Sequence, residues 1–443
     1  MNREIKFFLD QVCDHVSYRR LHKELKRELL DHLESLIWEY EQEGIDRDTA
    51  ARMAIEQMGS PADIGRGLNQ AHQPQKEHWM FFFIGALVLL GSMVLYTLVQ
   101  EPAYPLPGNY VLHRYLVYTV VGLALGVTCY FADYRRFEKY ALPIFLGALG
   151  LIMLVQLSPY TVNGRKYFMA GGFGIAPASI LLPFLLISYG GLLKRWGRGD
   201  WKGMMKLIGL LGMGAFVNLI QAGITQALLL SCGLLVMLTS VILNGNFQGN
   251  RIQYLGAVYG GGIGAFGLYL MTSEYRLIRV LALLNRQLDP QGTGYIYQVI
   301  DRVYQQTKWI GRSEGLYYTH GNVTQQLAVP EVSTDMVFTY LVGAFGWLAG
   351  LVVILAFILL IGRMCMITRG ILNPTNKGIA SAILTVFALQ ATGSILMNLG
   401  LIPVTSLSLP FISYGGTNFI MNMMLLGTFL GIHRRKYVSL SRA

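Results

Sequence analysis

The chain has 443 residues, of which 53% are hydrophobic and 14% charged, with a formal net charge of +11. A soluble protein carries roughly 25% charged residues, so this composition excludes an ordinary soluble domain and points to a polytopic membrane protein. Most of the cations lie in the N-terminal region or in short connections between apolar runs, a pattern imposed by membrane topology and not by a nucleic-acid surface.

Residues 1–72 read as a separate helical unit. The stretch LHKELKRELLDHLESLIWEYEQEG places Leu21, Leu25, Leu29, Leu30, Leu33, Leu36 and Ile37 at helical spacing with charges between them. Gly44 ends this helix. Asp46 precedes a second helix that stops at Gly59, and Ser60-Pro61 opens a third. The spacing therefore predicts a small three-helix domain, followed by a polar linker at 73–78. The first long apolar run begins only near Trp79, unlike a cleavable signal peptide. Cys13, Cys129, Cys232 and Cys365 show no CxxC or Cys/His spacing, and the histidines are scattered. Neither a disulfide nor a zinc site is expected.

Apolar spans follow at about 79–99, 113–132, 139–157, 175–193, 205–221, 223–243, 252–272, 336–361, 376–398 and 412–432. Most are long enough to cross ~30 Å of hydrocarbon. The polar stretch Gln221 to Gln226 decides the count: a tight turn gives ten spans, one broken helix gives nine. The charges favour ten. With the N-terminus inside, the connections around Arg135, Lys194, Arg251 and Arg369 and the tail after Arg434 all fall on the inner side. Both termini, including the tail 437–443, are then cytoplasmic.

One outer loop is long, from about 273 to 335, too long for a plain connector. Its stretch TGYIYQVIDRVYQQTKWIG reads as an amphipathic segment lying at the interface. The loop closes on VPEVSTDMVF, which places Asp335 where water meets hydrocarbon. An acid there either complements the head of a helix or serves a function. NGRKY, Asn163 to Tyr167, puts Arg165 and Lys166 on the outer side against the charge bias. They read as snorkelling cations or as a clamp for an anionic head group. The stretch 402–422 interrupts apolar sequence with Pro403, Pro410 and Gly415-Gly416 beside Ser413, Tyr414, Thr417 and Asn418. It is either a plain re-entrant turn or the wall of a cavity. Gln390 and Asn398 on the preceding span fit a polar cavity or helix-to-helix glue.

LIPVTSLSLPFISYGGTNFIMNMMLLGTFLGIHRR resembles the C-terminal signature of the FtsW/RodA/SpoVE (SEDS) family. VPEVSTDMVF resembles that family's LPE-x-x-TDFIF motif, RVLALLNRQLDPQGTGYIYQVI its R-x-x-x-FLxPxxDPxGxGYQ segment, and NGRKYFMAGGFGIAPASI its NGARRWIxxGxxxxQPSE segment. Together they span residues 80–436 in the family's order. Residues 1–72 resemble the small helical prefix domain of some membrane permeases and regulators, which implies a cytoplasmic interaction module of unknown partner.

The resemblance implies an all-α polytopic protein of the bacterial cytoplasmic membrane with about ten transmembrane helices, occupying 79–436. It implies polymerisation of lipid II, an undecaprenyl-pyrophosphate-linked sugar, into peptidoglycan glycan strands at the outer membrane face, beside a class B penicillin-binding protein. Asp335 then stands at the family's catalytic acid. Glu331, Thr334, Gln298, Gln390, Arg165, Lys166 and Ser413 through Asn418 become candidate substrate-binding residues. A divalent cation is compatible with this chemistry, although no sequence feature requires one. The chain also departs from the family. It has APAS (Ala176 to Ser179) for QPSE, QAGITQA (Gln221 to Ala227) for QPDLGTA, Ala344-Phe345 for Glu-Glu, and Thr417-Asn418 for Ser-Ser. The rival expectations are a catalytically weak membrane scaffold of wall synthesis and a lipid II flippase.

Overall fold

The computed structural model describes residues 3–16, 22–71, 77–162, 165–197, 201–221, 223–243, 250–287, 292–320 and 324–435. They fall into two compact units, one holding the described residues up to 71 with 433–435, the other holding 77–432.

The first unit contains α1 (Arg3–Asp14), α2 (His22–Gln42), α3 (Arg47–Met58) and α4 (Pro61–Ala71). Four helices stand where three were expected. The additional helix, α1, repeats Ile5, Phe8, Leu9 and Val12 at the spacing of a one-sided helix. These side chains cluster with Leu33 and Ile37 of α2 and Ala50, Ala51 and Ala54 of α3. α3 starts where Asp46 accepts a hydrogen bond from the Thr49 N–H at 3.1 Å.

The second unit begins with α5 (His78–Val99), α6 (Gly108–Phe131) and α7 (Ala141–Leu154). Two small hairpins follow, β1 (Thr161–Val162) with β2 (Arg165–Lys166) and β3 (Phe168–Ala170) with β4 (Phe173–Ile175). Then come α8 (Pro177–Ile180), α9 (Leu182–Trp196), α10 (Trp201–Ile220), α11 (Ile224–Leu243) and α12 (Arg251–Met271). The long loop carries α13 (Glu274–Leu284), α14 (Thr293–Gln305) and a hairpin of β5 (Tyr317–His320) and β6 (Thr324–Leu327). α15 (Val337–Phe345), α16 (Trp347–Arg369), α17 (Pro374–Asn398) and α18 (Gly416–Arg434) complete the unit.

Among the described residues, eight helices are long and apolar enough to cross a membrane: α5, α6, Phe137–Leu157 around α7, α10, α11, α12, α16 and α17. The other two expected spans correspond to α8 with α9, and to α18, whose Asn418, Asn422 and His433 lower its apolarity. α10 and α11 are separate helices. Gly214 faces Leu230 across a connection nearly equidistant from both, so the pair runs antiparallel, and Thr225 and Gln226 of the polar stretch already belong to α11. α6 lies close on α18 because a Cβ at Gly126 would stand only 3.0 Å from the Met423 carbonyl oxygen.

One expectation about the outer region is corrected. The span 336–361 is not one helix: α15 and α16 break at Gly346, whose φ is 95°. A Cβ there would meet the Trp309 carbonyl oxygen at 2.5 Å, so the backbone of the long loop occupies the space that a side chain needs. That loop also takes up backbone groups freed by the break, through Gly311 N–H to Phe345 O at 3.2 Å and Trp347 N–H to Lys308 O at 3.1 Å. The amphipathic stretch forms α14, but Tyr297, Val299, Ile300 and Val303 are buried in the protein core. That buried face packs on the unit itself, while Trp309 and Ile310 at the end of the same stretch are exposed.

Buried Glu101, just past α5, anchors the loop. It accepts from Arg312, from the Tyr317 hydroxyl at 2.8 Å and from the Tyr340 hydroxyl of α15 at 3.4 Å.

Candidate functional site

A cavity of about 420 Å³ gathers most of the polar residues that the sequence singles out. Glu331, Thr334 and Asp335 reach it from the turn ahead of α15. Lys166 comes from β2, Arg114 and Tyr118 from α6, Ser179 from α8 and Gln226 from α11. Ser406, Ser408 and the run Tyr414 to Asn418 come from the connection into α18 and its first turn.

The turn carrying Asp335 is tightly built. Glu331 holds φ at 49°, a left-handed conformation that is costly for a side-chain-bearing residue and tends to mark functional turns. Its carbonyl oxygen accepts from the N–H groups of Thr334 at 3.0 Å and Met336 at 3.1 Å. The Thr334 hydroxyl donates to Glu331 Oε2 at 2.8 Å. Asn398 Nδ2 donates to the Asp335 carbonyl oxygen at 2.9 Å, while Asn398 Oδ1 satisfies the Thr339 N–H in the first turn of α15. The Tyr414 N–H donates to the Ser333 carbonyl oxygen at 2.7 Å, which ties the connection into α18 to this turn. Asp335 itself is half-buried.

The cationic part of the wall is supplied by Arg114 and Lys166. Arg114 Nη2 donates to the Gly172 carbonyl oxygen at 2.7 Å, and its guanidinium lies over the rings of Tyr110 and Phe173. Gly171 and Gly172 make the positive-φ turn between β3 and β4 that offers this carbonyl. Lys166 Nζ donates to the Gln156 carbonyl oxygen at 2.6 Å.

The connection from α17 to α18 is non-helical yet largely buried, so its backbone groups need protein partners. Gln390 Nε2 donates to the Ser408 carbonyl oxygen at 3.2 Å, and the Leu409 N–H donates to Ser413 Oγ at 2.8 Å. Part of the wall is neutral: Ser179, Gln226, Asn418 and Ser408 form a hydrogen-bonded set.

The cavity thus brings together Asp335, Glu331, Thr334, Lys166 and Tyr414 through Asn418. It does not bring in three others. Gln298 is exposed on α14 and donates to the Arg286 carbonyl oxygen. Gln390 and Ser413 are buried behind the wall, where they satisfy backbone groups of the irregular connection. Arg165 pairs through its backbone with Val162. Its side chain lies outside the described part of the chain, as do Asn163, Gly164 and residues 288–291. Sequence reasoning missed Arg114, Tyr118, Ser179, Gln226 and Ser408. Arg114 did carry a signal, as an outer-side cation at the head of a span.

The family model described as cell cycle protein, FtsW/RodA/SpoVE, matches residues 77–438. The probable peptidoglycan glycosyltransferase FtsW of Geobacter sulfurreducens is 25% identical over 380 residues, covering 83% of this chain and 98% of the relative. That of Coxiella burnetii is 27% identical over 368 residues, covering 80% and 95%. In fold, the chain is similar to a chain from a peptidoglycan synthase complex, with a TM-score of 0.65 and 23% identity over 82% of this chain and 98% of that one. It is also similar to the rod shape determining protein RodA of Thermus thermophilus, with a TM-score of 0.57 and 21% identity over 82% and 97%. The match over most of its length places the chain in the FtsW/RodA/SpoVE family.

Proposed function

We propose that the protein is a membrane-integral peptidoglycan glycosyltransferase that polymerises lipid II at the outer face of the cytoplasmic membrane, with both termini cytoplasmic. The observation that carries this reading is one cavity holding two carboxylates, Asp335 and Glu331, two cations, Arg114 and Lys166, and a neutral polar wall. A lipid-linked sugar presents complementary chemistry, an anionic pyrophosphate joined to uncharged saccharide.

In the proposed reaction, Asp335 takes the proton from the 4-hydroxyl of the acceptor sugar. That oxygen forms a bond to the anomeric carbon of the donor as the bond from this carbon to the pyrophosphate oxygen breaks, with inversion. Arg114 and Lys166 stabilise the charge that collects on the leaving pyrophosphate. Glu331, oriented by Thr334, adds a second carboxylate from the same turn. Among the described residues, no three His, Cys, Asp or Glu side chains converge as a metal cage. Asp335 and Glu331, with phosphate oxygens of the ligand, are the groups that would hold a divalent cation, which would neutralise leaving-group charge.

The partner in this reading is a class B penicillin-binding protein, in keeping with the synthase complex to which the fold is similar. Full-length protein in nanodiscs, given lipid II with and without such a partner, is expected to yield long glycan, and Asp335→Asn is expected to lower its rate of formation by about 10²–10⁴-fold. The second reading, a scaffold with little activity, draws on Ser179 and Gly223, which line the cavity without a carboxylate. Absence of glycan under both conditions would favour it.

A further inference from the structure

Ser179, Gln226 and Asn418 are three positions where the chain departs from the motifs it resembles, which carry Glu, Thr and Ser there. They sit on α8, α11 and α18, far apart in sequence, and they meet. Gln226 Nε2 donates to Ser179 Oγ at 2.9 Å, Ser179 Oγ donates to Asn418 Oδ1 at 2.9 Å, and Asn418 Nδ2 donates to Ser408 Oγ at 2.9 Å. The departures are therefore one hydrogen-bonded unit, and each link has a single consistent donor.

The unit has an open end. Gln226 is 5% exposed and lines the cavity, and its Oε1 has no hydrogen-bond partner among the described residues. A buried amide oxygen without a donor is costly. Gln390 and Asn422 also carry an amide oxygen without a partner among the described residues, but neither lines the cavity. Gln226 does line it, so its unpaired acceptor belongs to a residue of the cavity wall, beside the uncharged Ser179 and Asn418. Ser179, Asn418 and Ser408, the groups bonded in this unit, are uncharged, so a charged ligand group would lose hydration here without pairing to any of them.

We propose that the Gln226 amide, oriented by Ser179 and Asn418, is a subsite for a neutral N–H or O–H donor, an acetamido or hydroxyl group, on the sugar of a lipid-linked saccharide. This rests on reading the cavity as the site of such a ligand. A site built to pair a polar group discriminates strongly against a ligand that leaves it unpaired. The subsite therefore recognises the sugar and is indifferent to the lipid pyrophosphate.

The test is equilibrium binding to the full chain in nanodiscs in an Asp335→Asn background, with two probes: lipid II, and undecaprenyl pyrophosphate, which has no sugar. Gln226→Met keeps the length and removes the amide. It is expected to weaken lipid II binding at least 10-fold and to leave undecaprenyl pyrophosphate binding unchanged. Equal weakening of both probes would make the network purely structural, and no weakening of either would show that Gln226 does not touch the ligand. Either result overturns the proposal. If Gln226→Met fails to fold, Ser179→Ala, which keeps the amide but frees its orientation, is expected to show a smaller loss confined to lipid II, and a loss on both probes or on neither overturns it. Failure of the cavity reading itself is separable, because Gln226-intact protein would then bind neither probe.

Discussion

Asn398 holds Asp335 from behind: its Nδ2 donates to the Asp335 carbonyl oxygen at 2.9 Å, and its Oδ1 accepts from the Thr339 N–H at 3.0 Å and the Thr339 hydroxyl at 2.9 Å. One fully buried amide thus fixes both the candidate base and the first turn of the helix that follows it. Asn398→Ala leaves the Thr339 N–H without its acceptor inside the protein, a cost of about 1–3 kcal/mol. We expect a lower melting temperature, and a loss of glycan synthesis larger than the loss of folded protein accounts for. Asn398→Asp retains an acceptor for Thr339 but adds a buried charge and removes the donor to Asp335, so it is expected to fare no better. Synthesis by Asn398→Ala that simply tracks the folded fraction would mean that the amide stabilises the fold without positioning Asp335.

Asp335 and Glu331 share a turn but are expected to differ in rank. Removing a general base costs about 10²–10⁴-fold in rate. Asp335→Asn should lose that much while still binding lipid II. Glu331→Gln should lose roughly 10-fold or less, because the Thr334 hydroxyl can still donate to the amide oxygen and hold the turn. Single-turnover rates with saturating lipid II measure both. A larger loss in Glu331→Gln than in Asp335→Asn would reverse the assignment of roles.

The cations are expected to act on the pyrophosphate. Hydrogen bonds to charged groups contribute about 1.5–3 kcal/mol, or roughly 10- to 100-fold in affinity. Lys166→Met removes the charge and keeps the stem, and should weaken undecaprenyl pyrophosphate binding by about that factor. Arg114→Lys keeps a charge but loses the planar fork that reaches the Gly172 carbonyl oxygen, so part of the affinity should go with it. Titration of binding against salt tests this further: Lys166→Met should flatten the salt dependence. An unchanged dependence would place the pyrophosphate elsewhere.

Much of the membrane unit was legible in linear sequence, because apolar length and the positions of arginine and lysine obey simple physical limits. The boundary between α10 and α11 and the cavity wall at 414–418 could be anticipated from polar or glycine-rich interruptions. The break at Gly346 could not, because its cause is the backbone of Trp309 and Ile310, distant in sequence. For the same reason the amphipathic period of α14 did not reveal its partner: periodicity shows that a face is apolar, not whether lipid or protein covers it. α1 was missed although Ile5, Phe8, Leu9 and Val12 carried the pattern. At the site, Asp335 and Lys166 were singled out by polarity in an unlikely place. Ser179 and Gln226 were visible only as departures. That they meet Asn418 is a fact of tertiary structure, which pairs α8, α11 and α18.

Glu101 supplies the last prediction, on what keeps the outer loop in place. Its side chain is 6% exposed, whereas that of its partner Arg312 is 49% exposed. Losing one member of a fully buried pair costs about 3–5 kcal/mol, and the exposure of Arg312 reduces this to about 1–3 kcal/mol for Glu101→Gln. The variant should melt earlier and be cleaved faster by protease within 273–335. Alkali should act on the same junction. Burial, and then the hydrogen bond to Glu101, pushes the Tyr317 hydroxyl from its ordinary 10.0 up to about 12. The folded chain therefore keeps this proton where the unfolded chain has released it. The associated stability is complete below the unfolded value and is lost as pH rises from about 10 towards 12. Tyr317→Phe has no proton to lose, so its melting temperature should fall less over that window than that of the parent. Parallel curves, together with a Glu101→Gln loop no more sensitive to protease than the parent's, would show that the loop is held by its apolar contacts alone.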